Sequence, residues 1–310
     1  MDIGTFFLQD AITQHHFEAK DRHMSRLLGI GACQMKTTRG DIQTNLERLA
    51  RHVRAVKFYS PWVNLICAPE LIIPGMSPMK ETAQPIPGQI SEFCSDLAKS
   101  HGVYLIPGSI YEQTGDGIYN TAPVFDASGN LLTTYRKMYP WRPHEKTVAG
   151  SHTVTFEVAG VGVVGLCICY DLWFPEVIRD LVWKGAEVVL VPTLTSTQDR
   201  RQELILCRAA AAMNQCYIVS VNGLMPGGLG RSVIVDPEGR VVQEAGQLTE
   251  NMMAMLDLDQ VTHVRQYGTC GVSRVMASFF HESQRFDYQS KTYQESPIAK
   301  PISACPLKGR

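Results

Sequence analysis

The stretch Val163 to Glu176, VVGLCICYDLWFPE, runs an apolar strand into a turn and then a helix, with the thiol of Cys169 at the junction. Such a junction brings an exposed nucleophile together with backbone N–H groups at a sheet edge, which is what acyl transfer needs. Cys167, two residues earlier, shares the strand face but lies deeper. A free cysteine is more often an inert core residue, so the thiol decides nothing until a base is found. The chain has nine histidines. His144 adjoins Glu145, and His15, His16 and His281 lie in the terminal regions, so none recommends a Cys–His pair. Glu70 is better placed, just beyond the apolar run of NLICAPEL, because a carboxylate at the carboxyl end of a strand faces the cleft of a layered sheet. A helix cap or an ion pair would explain it equally. Lys137 follows Tyr135-Arg136 at another strand end and reads as a site group or a surface charge. Glu145 lies eight residues further on, in a turn-rich segment.

Alternating strands and helices must position these groups. Leu28 to Met35 reads as a strand, and Asp41 can cap a helix carrying Ile42, Leu46, Leu49, Val53 and Val56 at helical spacing. Asn64 to Ala68 is a buried strand, Gly88 to Ser100 a helix, and Val103 to Tyr111, Thr121 to Asp126 and Leu131 to Arg136 are strands. The second half repeats the pattern: strand Gly162 to Cys169, helix Pro175 to Lys184, strand Glu187 to Val191, helix Gln202 to Asn214 and strand Cys216 to Asn222. A hairpin about Pro237-Glu238-Gly239-Arg240 and a strand from Met252 to Leu258 complete it. Two such halves imply an α/β fold, a four-layer α-β-β-α sandwich of two face-to-face mixed sheets. The expected division is an extension over 1–26, one catalytic domain over 27–280, and a tail over 281–310 that packs at a subunit interface.

Composition removes other classes. In 310 residues, 29 Lys plus Arg balance 30 Asp plus Glu, leaving a net charge of −1 and no electrostatic grip on nucleic acid or anionic membrane. The longest apolar run, Val158 to Tyr170, is 13 residues, short of the roughly 20 that span a bilayer. Nine cysteines, most within apolar stretches, suit reduced thiols in the cytoplasm, and Met1 to Arg26 lacks the pattern of a secretory signal. There is no C-x-x-C pair and no H-E-x-x-H, so no metal site is expected; Gly227-Gly228-Leu229-Gly230 precedes a strand and reads as a loop, not a phosphate cradle.

The ordered set Glu70, Lys137, Glu145, Cys169 resembles the nitrilase, or carbon–nitrogen hydrolase, superfamily. The surrounding text is similar too: Gly108-Ser109, Tyr119-Asn120-Thr121, Cys169-Tyr170-Asp171, Phe174-Pro175-Glu176 and Lys184-Gly185-Ala186. The segment Lys137-Met138-Tyr139-Pro140-Trp141-Arg142-Pro143-His144-Glu145 looks like the aliphatic amidase and formamidase branch, with intervals of eight from Lys to Glu and 24 from Glu to Cys. Leu71 stands where that branch carries Tyr, and Cys169 to Trp173 looks more like the small-amidase and carbamoylase form.

The resemblance implies a Glu70–Lys137–Cys169 triad with Glu145 beside it, cleaving a small carboxylic acid amide to acid and ammonia through a thioester. Tyr170 would give an oxyanion N–H, and Trp141, Leu71 and Trp173 would shape the acyl pocket. An N-carbamoyl substrate is the alternative, its carboxylate anchored by Arg142, Arg200 or Arg201; a nitrilase, an acyltransferase and a non-catalytic binding protein rank lower. The resemblance also implies a homodimer or larger even-numbered assembly, and no cofactor.

Overall fold

The computed structural model describes residues 25–224 and 226–281. The segment up to residue 24 and the tail from 282, including His15, His16 and Cys305, lie outside the described residues.

In chain order, β1 (Leu27–Gln34), α1 (Ile42–Tyr59), β2 (Leu65–Cys67), α2 (Met79–Thr82), α3 (Gln89–His101), β3 (Tyr104–Ile106), β4 (Ile110–Gln113), β5 (Ile118–Phe125) and β6 (Leu131–Arg136) form the first half. The second comprises β7 (Val154–Val158), β8 (Gly162–Leu166), α4 (Pro175–Trp183), β9 (Val188–Thr193), α5 (Arg200–Asn214), β10 (Tyr217–Asn222), β11 (Val233–Val235), β12 (Val241–Glu244), β13 (Glu250–Asp257), α6 (Leu258–Tyr267) and α7 (Val275–His281).

One sheet has seven strands, in the order β13-β1-β2-β3-β5-β4 with β6 on β5, and the other has six, β12-β11-β10-β9-β8-β7. Both are mixed, with parallel pairs at β1–β2–β3 and β8–β9–β10. Alternation along the strands sorts the core into layers. Leu28, Ile30 and Ala32 of β1 and Leu65 and Cys67 of β2 meet Val164 and Leu166 of β8 and Val188 and Leu190 of β9 between the sheets. Cys33, Met35 and Ile66 face outward onto Leu46, Leu49 and Val53 of α1 and Cys94 and Leu97 of α3. On the other flank, Ile178 and Leu181 of α4 and Cys207 and Ala211 of α5 cover the second sheet. The result is the expected four-layer sandwich. Asp41 caps α1 by accepting from the Thr44 N–H at 3.0 Å.

The structure departs from the sequence reading in several places. The expected strand from Val103 to Tyr111 is broken into β3 and β4 by Gly108, at φ +86°, where a Cβ would lie 1.8 Å from the Pro69 carbonyl oxygen. Only glycine lets these two turns touch. The last strand, β13, does not stay with its own half but returns to pair antiparallel with β1. The strand expected to run to Cys169 stops at Leu166, and Cys169 opens a 3-10 turn, Cys169–Trp173. Strand β7 and helices α2, α6 and α7 were not foreseen.

Candidate active site

Both sheets contribute to one cavity. From the first sheet, Glu70 follows β2 and its N–H donates to the Thr193 carbonyl of β9 at 3.3 Å, tying the two sheets together. Leu71, at φ +46°, donates its N–H to Ser109 Oγ at 3.1 Å, so the turn opposite Gly108 orients the Glu70 segment. Lys137 follows β6, with its N–H on the Asn120 carbonyl.

The Lys137 ammonium is 2% exposed and lies 2.8 Å from Glu70 Oε1 and 2.7 Å from Glu145 Oε2. Burial works to lower its pKa, but the two carboxylates outweigh burial and hold it well above the usual lysine range. Burial likewise works to raise the Glu145 carboxyl, and Lys137 and the surrounding donors bring it below its ordinary value instead. Asn120 Nδ2 donates to both Glu70 Oε1, at 2.8 Å, and Glu145 Oε1, at 2.9 Å, duplicating the lysine bridge. Thr147 Oγ1 and the Trp141 N–H complete the donors around Glu145, each at 3.0 Å. An ammonium has three N–H bonds; two serve the carboxylates, leaving one for a bound group.

From the second sheet comes the thiol. Cys169 adopts φ +50°, a left-handed conformation costly for a residue with a Cβ, and remains partly exposed while Cys167 is fully buried. Tyr170 is in the first turn of the short helix, where N–H groups lack an intrahelical acceptor. Asp171 fixes this turn. Its carboxylate accepts from the Tyr135 hydroxyl at 2.7 Å, the Tyr139 N–H at 2.8 Å and the Ile168 N–H at 2.9 Å, so it joins the thiol-bearing turn to the segment of Lys137. Burial pushes its pKa up to about 6 in spite of those donors and of Lys137. Burial, then the Glu70 charge, also raises the Cys169 thiol well above its ordinary value, with Lys137 opposing.

The cavity has a volume of about 690 Å³, and its lining includes Glu70, Leu71, Lys137, Trp141, Glu145, Cys169, Tyr170 and Trp173. The structure therefore brings together all eight residues singled out from the sequence. It does not do so for the suggested carboxylate anchors. Arg200 is buried in an ion pair with Glu203 at 3.0 Å, Arg142 is spent on the carbonyls of Glu145 and Thr147, and neither these nor Arg201 line the cavity. The cations at its wall are Arg39, Lys80 and Lys146, beside Lys137. Asn120 and Asp171 were quoted from the sequence only as part of longer matches and were given no role. No group of His, Cys, Asp and Glu that could hold a metal occurs among the described residues, and no described helix is long and apolar enough to cross a membrane.

Residues 29–266 match the carbon–nitrogen hydrolase family. The chain belongs to that family. This carbon–nitrogen hydrolase is 31% identical over 236 residues to a 2-oxoglutaramate amidase of Bacillus subtilis, covering 70% of this chain and 88% of that one. A formamidase of Bacillus cereus is 32% identical over 192 residues, 60% of this chain, and the hydrolase spans only 58% of the formamidase's length. Among solved structures, Saccharomyces cerevisiae Nit3, a member of branch 10 of the nitrilase superfamily, superposes with a TM-score of 0.74 at 26% identity, covering 84% of the hydrolase and 97% of Nit3.

Proposed function

We propose that the enzyme hydrolyses a small carboxylic acid amide to the acid and ammonia, with Cys169 as nucleophile. The observation that carries this reading is the Lys137 ammonium clamped between Glu70 and Glu145 in a cavity that Cys169 also lines. Glu70 takes the thiol proton and sulfur attacks the amide carbon. The third Lys137 N–H and the Tyr170 N–H receive the developing oxyanion, a contribution whose loss costs roughly 100- to 1,000-fold per donor. Collapse breaks the C–N bond, and Glu70 returns its proton to the departing nitrogen, leaving a thioester and ammonia. Water then attacks the thioester with Glu70 as base, releasing acid and restoring the thiol. Glu145 keeps Lys137 charged and oriented, and Leu71, Trp141, Tyr170 and Trp173 bound the acyl group. The N-carbamoyl alternative loses its three named arginine anchors, none of which lines the cavity, and would have to draw on Arg39, Lys80 or Lys146 instead.

The relatives named as amidases support an amide substrate, and the resemblance to their family carries with it the proposal of a cytoplasmic homo-oligomer. The test is ammonia release from formamide, acetamide, propionamide, a dicarboxylic acid monoamide and an N-carbamoyl amine, with Cys169→Ala alongside and intact-mass detection of an acyl adduct. Turnover of an amide that disappears in Cys169→Ala is expected. Turnover of the carbamoyl compound alone, or turnover that survives Cys169→Ala, overturns the reading.

A further inference from the structure

Beside Cys169, the second sheet carries a polar arrangement that the steps above do not use. Thr195 follows β9, and its Oγ1 lies 3.7 Å from Cys169 Sγ. The same hydroxyl donates to Glu203 Oε1 of α5 at 2.8 Å. Glu203 is held in turn by Arg200 at 3.0 Å, and Arg200 by Ser220 Oγ at 3.1 Å and the Arg231 carbonyl at 2.8 Å. The Thr195 backbone is clamped from both sides by one side chain: its N–H donates to Asn222 Oδ1 at 2.9 Å, and its carbonyl accepts from Asn222 Nδ2 at 3.1 Å. Thr195 and Glu203 are both buried, yet both line the cavity.

A hydroxyl has one proton. With that proton committed to Glu203, Thr195 can offer sulfur only a lone pair, so the contact requires the thiol to donate. Among the described residues no other side chain is within hydrogen-bonding reach of Sγ. Resting on the function proposed above, we infer that Thr195, anchored by Glu203, is a positioning residue that holds Cys169 as a neutral thiol in a single rotamer until substrate arrives. A hydrogen bond made to the neutral form favours that form. The thiolate, by contrast, finds no donor in Thr195 and has every reason to leave it for the substrate carbon. The buried Glu70 and Glu203 charges act in the same direction, against Lys137 and the Leu194 N–H, which favour the thiolate. The clamp therefore protects the nucleophile from ionising in an empty site, where a thiolate would be open to alkylation and oxidation.

The test compares Thr195→Val, which keeps the shape and removes the hydroxyl, with Thr195→Ser, which keeps the hydroxyl. The rate of Cys169 alkylation by iodoacetamide is followed against pH by intact mass, and melting temperature confirms folding. In Thr195→Val the midpoint of the alkylation profile moves to lower pH by about 0.5 to 1, the effect of one net hydrogen bond. On whichever amide is turned over, kcat falls about 3- to 10-fold with KM within twofold, and Thr195→Ser stays near wild type in both measurements. An alkylation profile unchanged in folded Thr195→Val, or a Thr195→Ser variant as altered as Thr195→Val, overturns the inference. If Thr195→Val does not fold, Thr195→Ser decides alone: a profile shifted from wild type overturns the inference and an unshifted one upholds it. Because alkylation needs no substrate, this readout stands even if the amide assignment fails.

Discussion

Replacing Glu145 with Gln looks isosteric, and the donors around the carboxylate say otherwise. The Glu145 carboxylate accepts from Asn120 Nδ2, Thr147 Oγ1, Lys137 Nζ and the Trp141 N–H, at 2.7 to 3.0 Å, and has no proton to donate. A Gln amide must turn its NH₂ to one side. Turned toward Lys137 and Trp141, it faces an ammonium and a backbone donor, neither of which can reverse. Turned toward Asn120 and Thr147, it meets one hydroxyl that can rotate and one amide that cannot, so this orientation wins and still leaves a buried donor facing a donor. One such loss costs about 1–3 kcal/mol. The buried ammonium also keeps only Glu70 as a counter-charge; removing one partner of a buried pair costs about 3–5 kcal/mol when nothing replaces it, and the remaining contact with the Gln oxygen reduces that. Together they predict a loss of about 2–4 kcal/mol of transition-state stabilisation, or roughly 30- to 1,000-fold in kcat. Steady-state ammonia release gives kcat, circular dichroism confirms the fold, and Thr147→Val, which removes one of the four donors, serves as a control with a loss below about tenfold. A folded Glu145→Gln enzyme with kcat within threefold of wild type would refute the argument that Glu145 keeps Lys137 charged and placed.

Three further outcomes are expected. Asp171 has its pKa raised from the ordinary 3.8 to about 6 by burial, so the native state binds the extra proton and stability falls as pH rises through that window. The stability difference between wild type and Asp171→Asn, which has no proton to lose, should change by about 2 kcal/mol between pH 4 and 7 in urea titrations; a difference flat across that range sinks the assignment. Cys169→Gly should be inactive yet more stable than Cys169→Ala by about 1 kcal/mol, because φ +50° suits glycine; equal melting temperatures would show that the turn stores no strain. Gly108→Ala places a Cβ 1.8 Å from the Pro69 carbonyl at φ +86° and should cost more than about 2 kcal/mol along with most of the activity, through displacement of Glu70. A variant with wild-type denaturation and rate would show that the contact is not tight.

The groups legible in the sequence were those at ends of elements. Glu70, Lys137 and Cys169 each lie just beyond a strand, and the resemblance of their order to a known family did the rest; the two-sheet architecture followed from the alternation of strands and helices. What escaped was set by contacts distant in sequence. Asn120 sits inside β5, where a polar residue among Tyr119, Thr121 and Ala122 has no local mark of its role until Glu70 and Glu145 close on it. Thr195 and Glu203 become partners of Cys169 only because β8 and β9 lie side by side. The split at Gly108 was hidden because the apolar run continues across it, and the pairing of β13 with β1 joins residues more than two hundred positions apart, which no local pattern encodes. Arg200 and Arg142, offered as anchors, failed for the opposite reason: the sequence shows their charge and not the buried Glu203 or the main-chain carbonyls that consume it.

The seam between the sheets has a consequence for how the molecule may be altered. Glu70 and Lys137, the acid–base groups of the proposed mechanism, ride on one sheet and Cys169 with Thr195 on the other, and they are held in register by the inter-sheet core and by the Glu70 N–H to Thr193 bond. Catalysis thus works as a gauge of how far apart two slabs are. A methyl group added at Ala32, fully buried between them, touches no reacting atom but acts as a shim. Its thickness is passed directly to the gap between sulfur and ammonium, in a reaction where misplacement by about 1 Å costs on the order of 100-fold. Residues far from the cavity on that plane are for this reason as constrained in size as those that line it.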